Sequence, residues 1–282
     1  VETAELIARP PAGRRRRARL YITPNIQHVA TVRHDPELRD AILDADLVTC
    51  DGFPLAAYAK FSGCPLPGRV TGREVAEHLM LNMPLSSEHG LYFLVDSVET
   101  ADAIHAWQKD HAVVARVVVE VAPPRFGEDE AAAGAFADRV RAADTTILFL
   151  GLGAPKSERF ANRYRTQIGD CWALCIGQSI RVALGIVQRP PAIWVRLRME
   201  WAWRILQEPR RLTSRYIQGA IGFSAAVLHD LREAEVGDLE ARVRDEDVLR
   251  LQHERGMGSR VCGSAERATL RIGWHCLLLC NR

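Results

Sequence analysis

A chain of 282 residues with 48% hydrophobic and 26% charged side chains has the composition of a globular protein and the length to bury a full core. Its 37 basic and 35 acidic residues nearly cancel to +2, which excludes a globally basic surface, yet arginines crowd into 14–19 and again beyond 189, so the field is local. Seven cysteines without paired spacing argue against a disulfide framework and for a reducing compartment, and no run reaches the ~18 consecutive apolar residues of a membrane span.

In chain order, the arginine run at 14–17 resembles the start of an export signal, but Thr23, Pro24 and Asn25 break the apolar stretch that should follow. Residues 1–19 therefore read as a basic tail. From Leu20 to Gly177 short apolar runs alternate with helical ones. Strands are predicted at 20–22, 47–50, 91–95, 117–121, 147–150 and 172–176. Helices are predicted from Pro36, capped by Asp35, to about Leu43, and at 98–110, 128–143 and 157–167. Such alternation predicts an α/β fold, a mostly parallel Rossmann-like sheet with helices on both faces over 20–190, with ligands at the carboxyl ends of the strands.

The stretch 189–216 differs in character. About seven arginines face two acids there, Glu200 and Glu208, and Trp194, Trp201 and Trp203 fall within ten residues. Pro191 can open a helix and Pro209 cannot continue one, while Trp194, Leu197, Trp201 and Ile205 repeat at helical spacing between them. An amphipathic helix with i,i+4 ion pairs would account for the pattern, as would a basic, aromatic surface that meets phosphate. Residues 191–232 are read as a helical, membrane-docking appendage, with Gly219 and Gly222 weakening its last helix, and 233–282 as a mobile tail. Truncation after about Trp194 should leave the α/β core intact.

Three strand ends carry polar residues suited to chemistry. Thr23-Pro24-Asn25 follows the first strand, where a hydroxyl and an amide would enter the crevice or simply cap a helix. Asp51-Gly52 follows the second, placing a carboxylate at the mouth of the sheet unless it caps the helix that Pro54 begins. After the 147–150 strand, Gly151, Gly153, Lys156, Ser157 and Glu158 form a glycine loop at a helix N-terminus, a place where phosphate can bind, although neither a dinucleotide fingerprint nor a Walker A loop is present. Arg69, in a glycine-bounded loop, could clamp a diphosphate. Phe126 could stack on a base or join the core. Cys171 and Cys175 read as buried thiols, and no metal site is expected.

Taken in order, Thr23-Pro24-Asn25, Ala45-Asp46-Leu47-Val48 into Asp51-Gly52, Arg69-Val70-Thr71-Gly72, the 151–158 loop, Arg189-Pro190-Pro191 and Glu200-Trp201 to Arg215-Tyr216 resemble the WecG/TagA/CpsF glycosyltransferase family over about 20–216. The resemblance implies an inverting, metal-free transfer of a sugar from a UDP donor to a polyprenyl-diphosphate-linked sugar in bacterial surface polymer assembly. It also implies a cytoplasmic protein held peripherally at the inner face of an anionic membrane. Under it, Asp51 matches the general base, Thr23 and Asn25 its polar neighbours, Arg69 an active-site arginine, and Arg204 and Arg211 arginines of the appendage. No cofactor beyond the donor and no nucleic acid is implied, and homo-oligomerisation stays open.

The chain departs from the family pattern at Asp96-Ser97, Ser157, Gln178 and Ile180-Arg181. Arg181 stands where the family places an aspartate near the nucleotide base, which bears on donor identity. Competing readings are a catalytically weakened assembly factor and an arginine-rich, nucleic-acid-binding α/β protein. A nucleotide-dependent oxidoreductase would need the missing glycine fingerprint.

Overall fold

The computed structural model describes residues 2–9, 16–62, 66, 69–197, 199–210 and 212–232. The chain opens with helix α1 (Glu2–Ala8), strand β1 (Arg19–Ile22), helices α2 (Ile26–Val32) and α3 (Pro36–Leu43), then β2 (Leu47–Val48), α4 (Phe53–Phe61) and α5 (Gly72–Glu77), which runs into a π-helical turn at His78–Asn82. Next come β3 (Gly90–Val95), α6 (Val98–Asp110), β4 (Arg116–Val121), α7 (Glu130–Ala142), β5 (Ile147–Leu150), α8 (Lys156–Arg163), α9 (Arg165–Ile168), β6 (Trp172–Cys175) and α10 (Ser179–Ala183). Helices α11 (Ala192–Arg196) and α12 (Glu200–Gln207) and a helix over 212–232 complete the described chain.

All six strands are parallel, in the order β2-β1-β6-β5-β3-β4. Alternation along each strand sends side chains to two cores, one on each face. Leu20, Ile22, Leu94, Leu148 and Leu150 meet α3, α7 and α8 on one side, while Tyr21, Leu91, Phe93, Phe149 and Leu174 meet α1, α5 and α6 on the other. Each such buried side chain contributes roughly 1.5–3 kcal/mol, which is why the interior strands can be apolar throughout. Helix starts follow their caps: Asp35, Ser97 and Asp129 each accept a backbone N–H three residues on, and Thr71 closes a capping box with Glu74.

The predicted strands and the helices from Pro36, 98 and 128 stand within a few residues of their expected places, and the α/β class holds. Three expectations change. Residues 1–19 are more than a basic tail: α1 buries Ala4, Ile7 and Ala8 where it packs beside α5 and the π-helical turn, and the Ala8 carbonyl lies 3.1 Å from His89 Nε2. The single helix expected between Pro191 and Pro209 is two, because Met199 N–H turns back to the Trp194 carbonyl and ends α11. Gly219 and Gly222 do not weaken the last helix; they let it lie against α2, where a Cβ at 222 would fall 2.4 Å from that of Ala30.

Candidate active site

The carboxyl ends of β1, β2, β5 and β6 converge on one rim, and the chain leaves each through a polar turn. Beyond β2, the Asp51 N–H donates to the Pro24 carbonyl at 2.9 Å, locking the second turn onto the first. Gly52 follows at φ +122°, a left-handed value that glycine adopts without strain, and it is the N-cap of α4 with no side-chain cap bond. The Asp51 carboxylate is thus left for chemistry and not used as a helix cap. Burial pushes this carboxyl above its ordinary value. The charges of Arg204 and then Arg69 act against that rise, and Glu200 adds to it.

These influences come from both parts of the chain. Arg69 emerges beside Val70, whose carbonyl accepts the Thr49 hydroxyl at 3.0 Å, while Thr49 Oγ1 also lies 2.8 Å from the Tyr21 hydroxyl. Its guanidinium reaches Glu200 Oε1 of α12 at 3.4 Å. One turn further along α12, the charge of Arg204 acts on Asp51 from the appendage. Arg211 lies outside the described residues.

Thr23 is buried at the end of β1. Asn25 is the N-cap of α2, its side-chain oxygen accepting the Gln27 N–H at 3.0 Å, so only its amide hydrogens remain to meet a substrate. The capping box is closed by His28, which accepts the Asn25 N–H at Nδ1 (3.2 Å) and meets Glu158 Oε1 through Nε2 at 3.2 Å.

The glycine loop is less of a phosphate cradle than its sequence suggests. Gly151 N–H donates to the Leu94 carbonyl at 2.8 Å, and the N–H groups of Lys156 and Ser157 both turn back to the Gly153 carbonyl. Gly151 serves close packing, since a Cβ there would meet the Leu94 carbonyl at 3.2 Å, whereas Gly153 serves its left-handed turn at φ +81° with open space where a Cβ would stand. Lys156 is exposed at the start of α8. Ser157 and Glu158, expected among the substrate ligands, point inward instead. Ser157 is 0% exposed with its hydroxyl toward the Leu150 carbonyl, and Glu158 is 2% exposed against His28. Phe126 is likewise no base-stacking platform, because it sits edge-on to Phe136 at 5.6 Å within the aromatic core. Burial pushes the Cys171 thiol up to about 12 and the Cys175 thiol well above its usual value, as expected of inert core cysteines.

Over this loop, Gln178 after β6 donates to Asp96 after β3 at 2.7 Å, spanning the end of β5. Arg181 donates to Glu99 at 2.7 Å. Asp96 and Gln178 are therefore paired with each other, and Arg181 with Glu99. Below the rim, an apolar cavity of about 440 Å³, open mouth included, lies between α2, α4 and the 212–232 helix. Pro24, His28, Val29, Leu55 and Phe223 are among its lining, which offers no arginine to a diphosphate.

A family model of glycosyl transferases, the WecG/TagA/CpsF family, matches residues 2–236. The chain belongs to this family. A relative in Bacillus spizizenii, named N-acetylglucosaminyldiphosphoundecaprenol N-acetyl-beta-D-mannosaminyltransferase, is 24% identical over 192 residues, covering 67% of this chain and 72% of the relative. In this member of the WecG/TagA/CpsF family, sequence reasoning missed His28 and gave Glu200, which it did single out, no role at the site. The first is signalled by the three-residue step from Asn25 to His28, the reach of a capping box. The second stands four residues before Arg204, so both lie on one stripe of α12.

Proposed function

We propose that this glycosyltransferase moves a hexose, N-acetylmannosamine or a close relative, from a UDP donor to a polyprenyl-diphosphate-linked sugar, with inversion at the anomeric carbon and without a metal. The observation that carries this reading is the Asp51 carboxylate, partly buried at the end of β2, unused as a cap and under the influence of Arg69 and Arg204. Family membership and the acceptor and donor sugars in the relative's name point the same way.

In the proposed reaction, the acceptor hydroxyl oxygen attacks the anomeric carbon as Asp51 takes its proton. The bond from that carbon to the diphosphate oxygen breaks, and its electron pair leaves on UDP. Positioned proton removal of this kind contributes roughly 10²–10⁴-fold. The charge that develops on the departing diphosphate is met by Arg69 and Arg204, with Glu200 released from Arg69 when the donor enters. Asn25 offers its amide hydrogens beside the same turn.

Exposed apolar side chains on the appendage support peripheral docking at the inner face of the membrane. Ile193, Leu197, Trp201 and Leu206 stand open on α11, α12 and the link between them, and the 212–232 helix adds Ile217, Ile221 and Leu228. No helix among the described residues is long and apolar enough to cross a bilayer.

The test is a panel of UDP-sugars with a lipid-diphosphate-linked N-acetylglucosamine acceptor, with and without EDTA, and the product's anomeric configuration read by NMR. One donor should react with inversion and be indifferent to chelator. Retention of configuration, a strict metal requirement or silence with every UDP-sugar would overturn the corresponding part of the proposal.

A further inference from the structure

Three loops that the sequence keeps far apart are joined by one chain of hydrogen bonds. Glu158, in the first turn of α8, meets His28 Nε2; His28 Nδ1 takes the Asn25 N–H; and the Pro24 carbonyl, one residue earlier, takes the Asp51 N–H. His28 is 6% exposed and Glu158 is 2% exposed, so water does not substitute for either contact. With the hydrogen assigned to Nε2, the ring donates to the Glu158 carboxylate and Nδ1 accepts the Asn25 N–H, while Nδ1 also lies 3.1 Å from Asn25 Oδ1. The second carboxylate oxygen of Glu158 is buried and has no hydrogen-bond partner among the described residues. A carboxylate placed there at such a cost is held by its one contact, and that contact is the imidazole.

We propose that His28 is a positioning residue for the transfer: backed by Glu158, its ring fixes the Thr23-Pro24-Asn25 turn and, through Pro24, the backbone that carries Asp51. This rests on the reading of Asp51 as the general base. It assigns Glu158 the task of orienting the ring, and it needs no contact between His28 and either substrate. A base displaced by about 1 Å can lose on the order of 10²-fold in rate, so the tie acts on turnover more than on donor binding.

Two isosteric substitutions separate this role from plain packing. Asparagine at 28 keeps a polar atom where Nδ1 stands, next to the Asn25 N–H, whereas glutamine reaches the Nε2 position and loses the Nδ1 contact. His28→Gln and His28→Leu should lower kcat about tenfold or more with donor KM and UDP affinity within about twofold of wild type, while His28→Asn recovers to within about threefold. Glu158→Gln, which can still accept from Nε2, should also stay within about threefold, and Glu158→Leu combined with His28→Leu should cost no more than His28→Leu alone. Should the leucine variants fail to fold, the Asn, Gln and Glu158→Gln proteins carry the comparison.

Glutamine as active as asparagine at 28, additive losses in the double variant, or losses confined to KM would overturn the proposal. If wild-type protein transfers no sugar, the proposed function falls, and amide exchange then reads the tie alone. Loss of protection at the Asn25 and Asp51 N–H groups in His28→Gln but not in His28→Asn supports it, and equal protection in the two overturns it.

Discussion

Replacing Asp51 by asparagine keeps the shape of the side chain and removes its ability to take a proton. If Asp51 is the base, kcat should fall by ~100-fold or more, which is about 2.7 kcal/mol of transition-state stabilisation at 1.36 kcal/mol per tenfold, with UDP affinity nearly unchanged. The structure adds a second, opposite effect. Burial raises the Asp51 carboxyl despite Arg204 and Arg69, so the folded protein binds that proton more tightly than the unfolded chain does. The stabilisation from proton binding is complete below the ordinary carboxylate range and is lost as pH rises through the raised value. Asp51→Asn carries no such loss, so its stability relative to wild type should improve as pH climbs through that window. In wild type, kcat should rise over the same interval, as the base loses its proton. Denaturant unfolding and steady-state kinetics across one pH series measure both. Turnover within about threefold of wild type would remove Asp51 from the base role, and a stability difference that shrinks with rising pH would refute the burial argument.

Further outcomes are expected elsewhere. Gly219→Ala and Gly222→Ala gain the same helix propensity, about 1 kcal/mol, but the first meets the flexible Gln27 Cγ at 3.3 Å and the second meets Ala30 Cβ at 2.4 Å. Thermal unfolding should therefore show Gly219→Ala unchanged or up to ~1 kcal/mol more stable, and Gly222→Ala destabilised by up to ~2 kcal/mol once overpacking is included. Equal shifts would mean that the helix does not sit on α2. Glu200→Gln frees Arg69 from a partly exposed pair worth ~0.2–1 kcal/mol and removes a charge that raises Asp51. Donor KM should fall by about twofold to fivefold and the acidic limb of kcat should move to lower pH; movement of either in the other direction counts against the arrangement. Co-sedimentation with anionic vesicles should weaken with salt, since charges are screened beyond ~8 Å at physiological ionic strength, and Leu206→Asp should reduce it while sparing transfer to a short-chain soluble acceptor. Undiminished binding by Leu206→Asp would return α12 to a surface helix.

Much of the frame was legible because it is written in short-range signals. Apolar runs such as 147–150 and 172–175, separated by helix caps at Asp35, Ser97 and Asp129, need no tertiary information to be found. The site was legible only in part, because a polar residue at a strand end can cap a helix or face a substrate, and the sequence does not separate the two. Asn25 turned out to be a cap and Asp51 was not. Glu158 looked like a ligand at a glycine loop, and its inward aim depends on His28, 130 residues away in sequence. The break between α11 and α12 was hidden by a helical repeat that runs through it, and the packing role of Gly222 could be seen only once Ala30 lay against it.

The seam between the six-stranded sheet and the helices that follow Pro191 is a change of composition in sequence and not a break in packing. The 212–232 helix covers α2 and α4 as an ordinary core element does: Leu212 and Ala226 are buried, Phe223 packs edge-on to Tyr58 at 6.0 Å, and the Tyr58 hydroxyl donates to Asp230 at 2.8 Å. A chain cut after about Trp194 would therefore keep its sheet yet uncover Val29, Leu55 and Tyr58, and an exposed patch of that kind invites self-association. Loss of activity in such a fragment would report damage to the helix that bears the Asn25 cap as much as the loss of Arg204. Any dissection of lipid docking from catalysis is better made by single substitutions on the open faces of α12 and the last helix, at Leu206 or Ile221, which are 64% and 66% exposed. Because the 212–232 helix is packed on α2 and α4, any surface on which that helix rests lies at a set distance from the turn that opens α2.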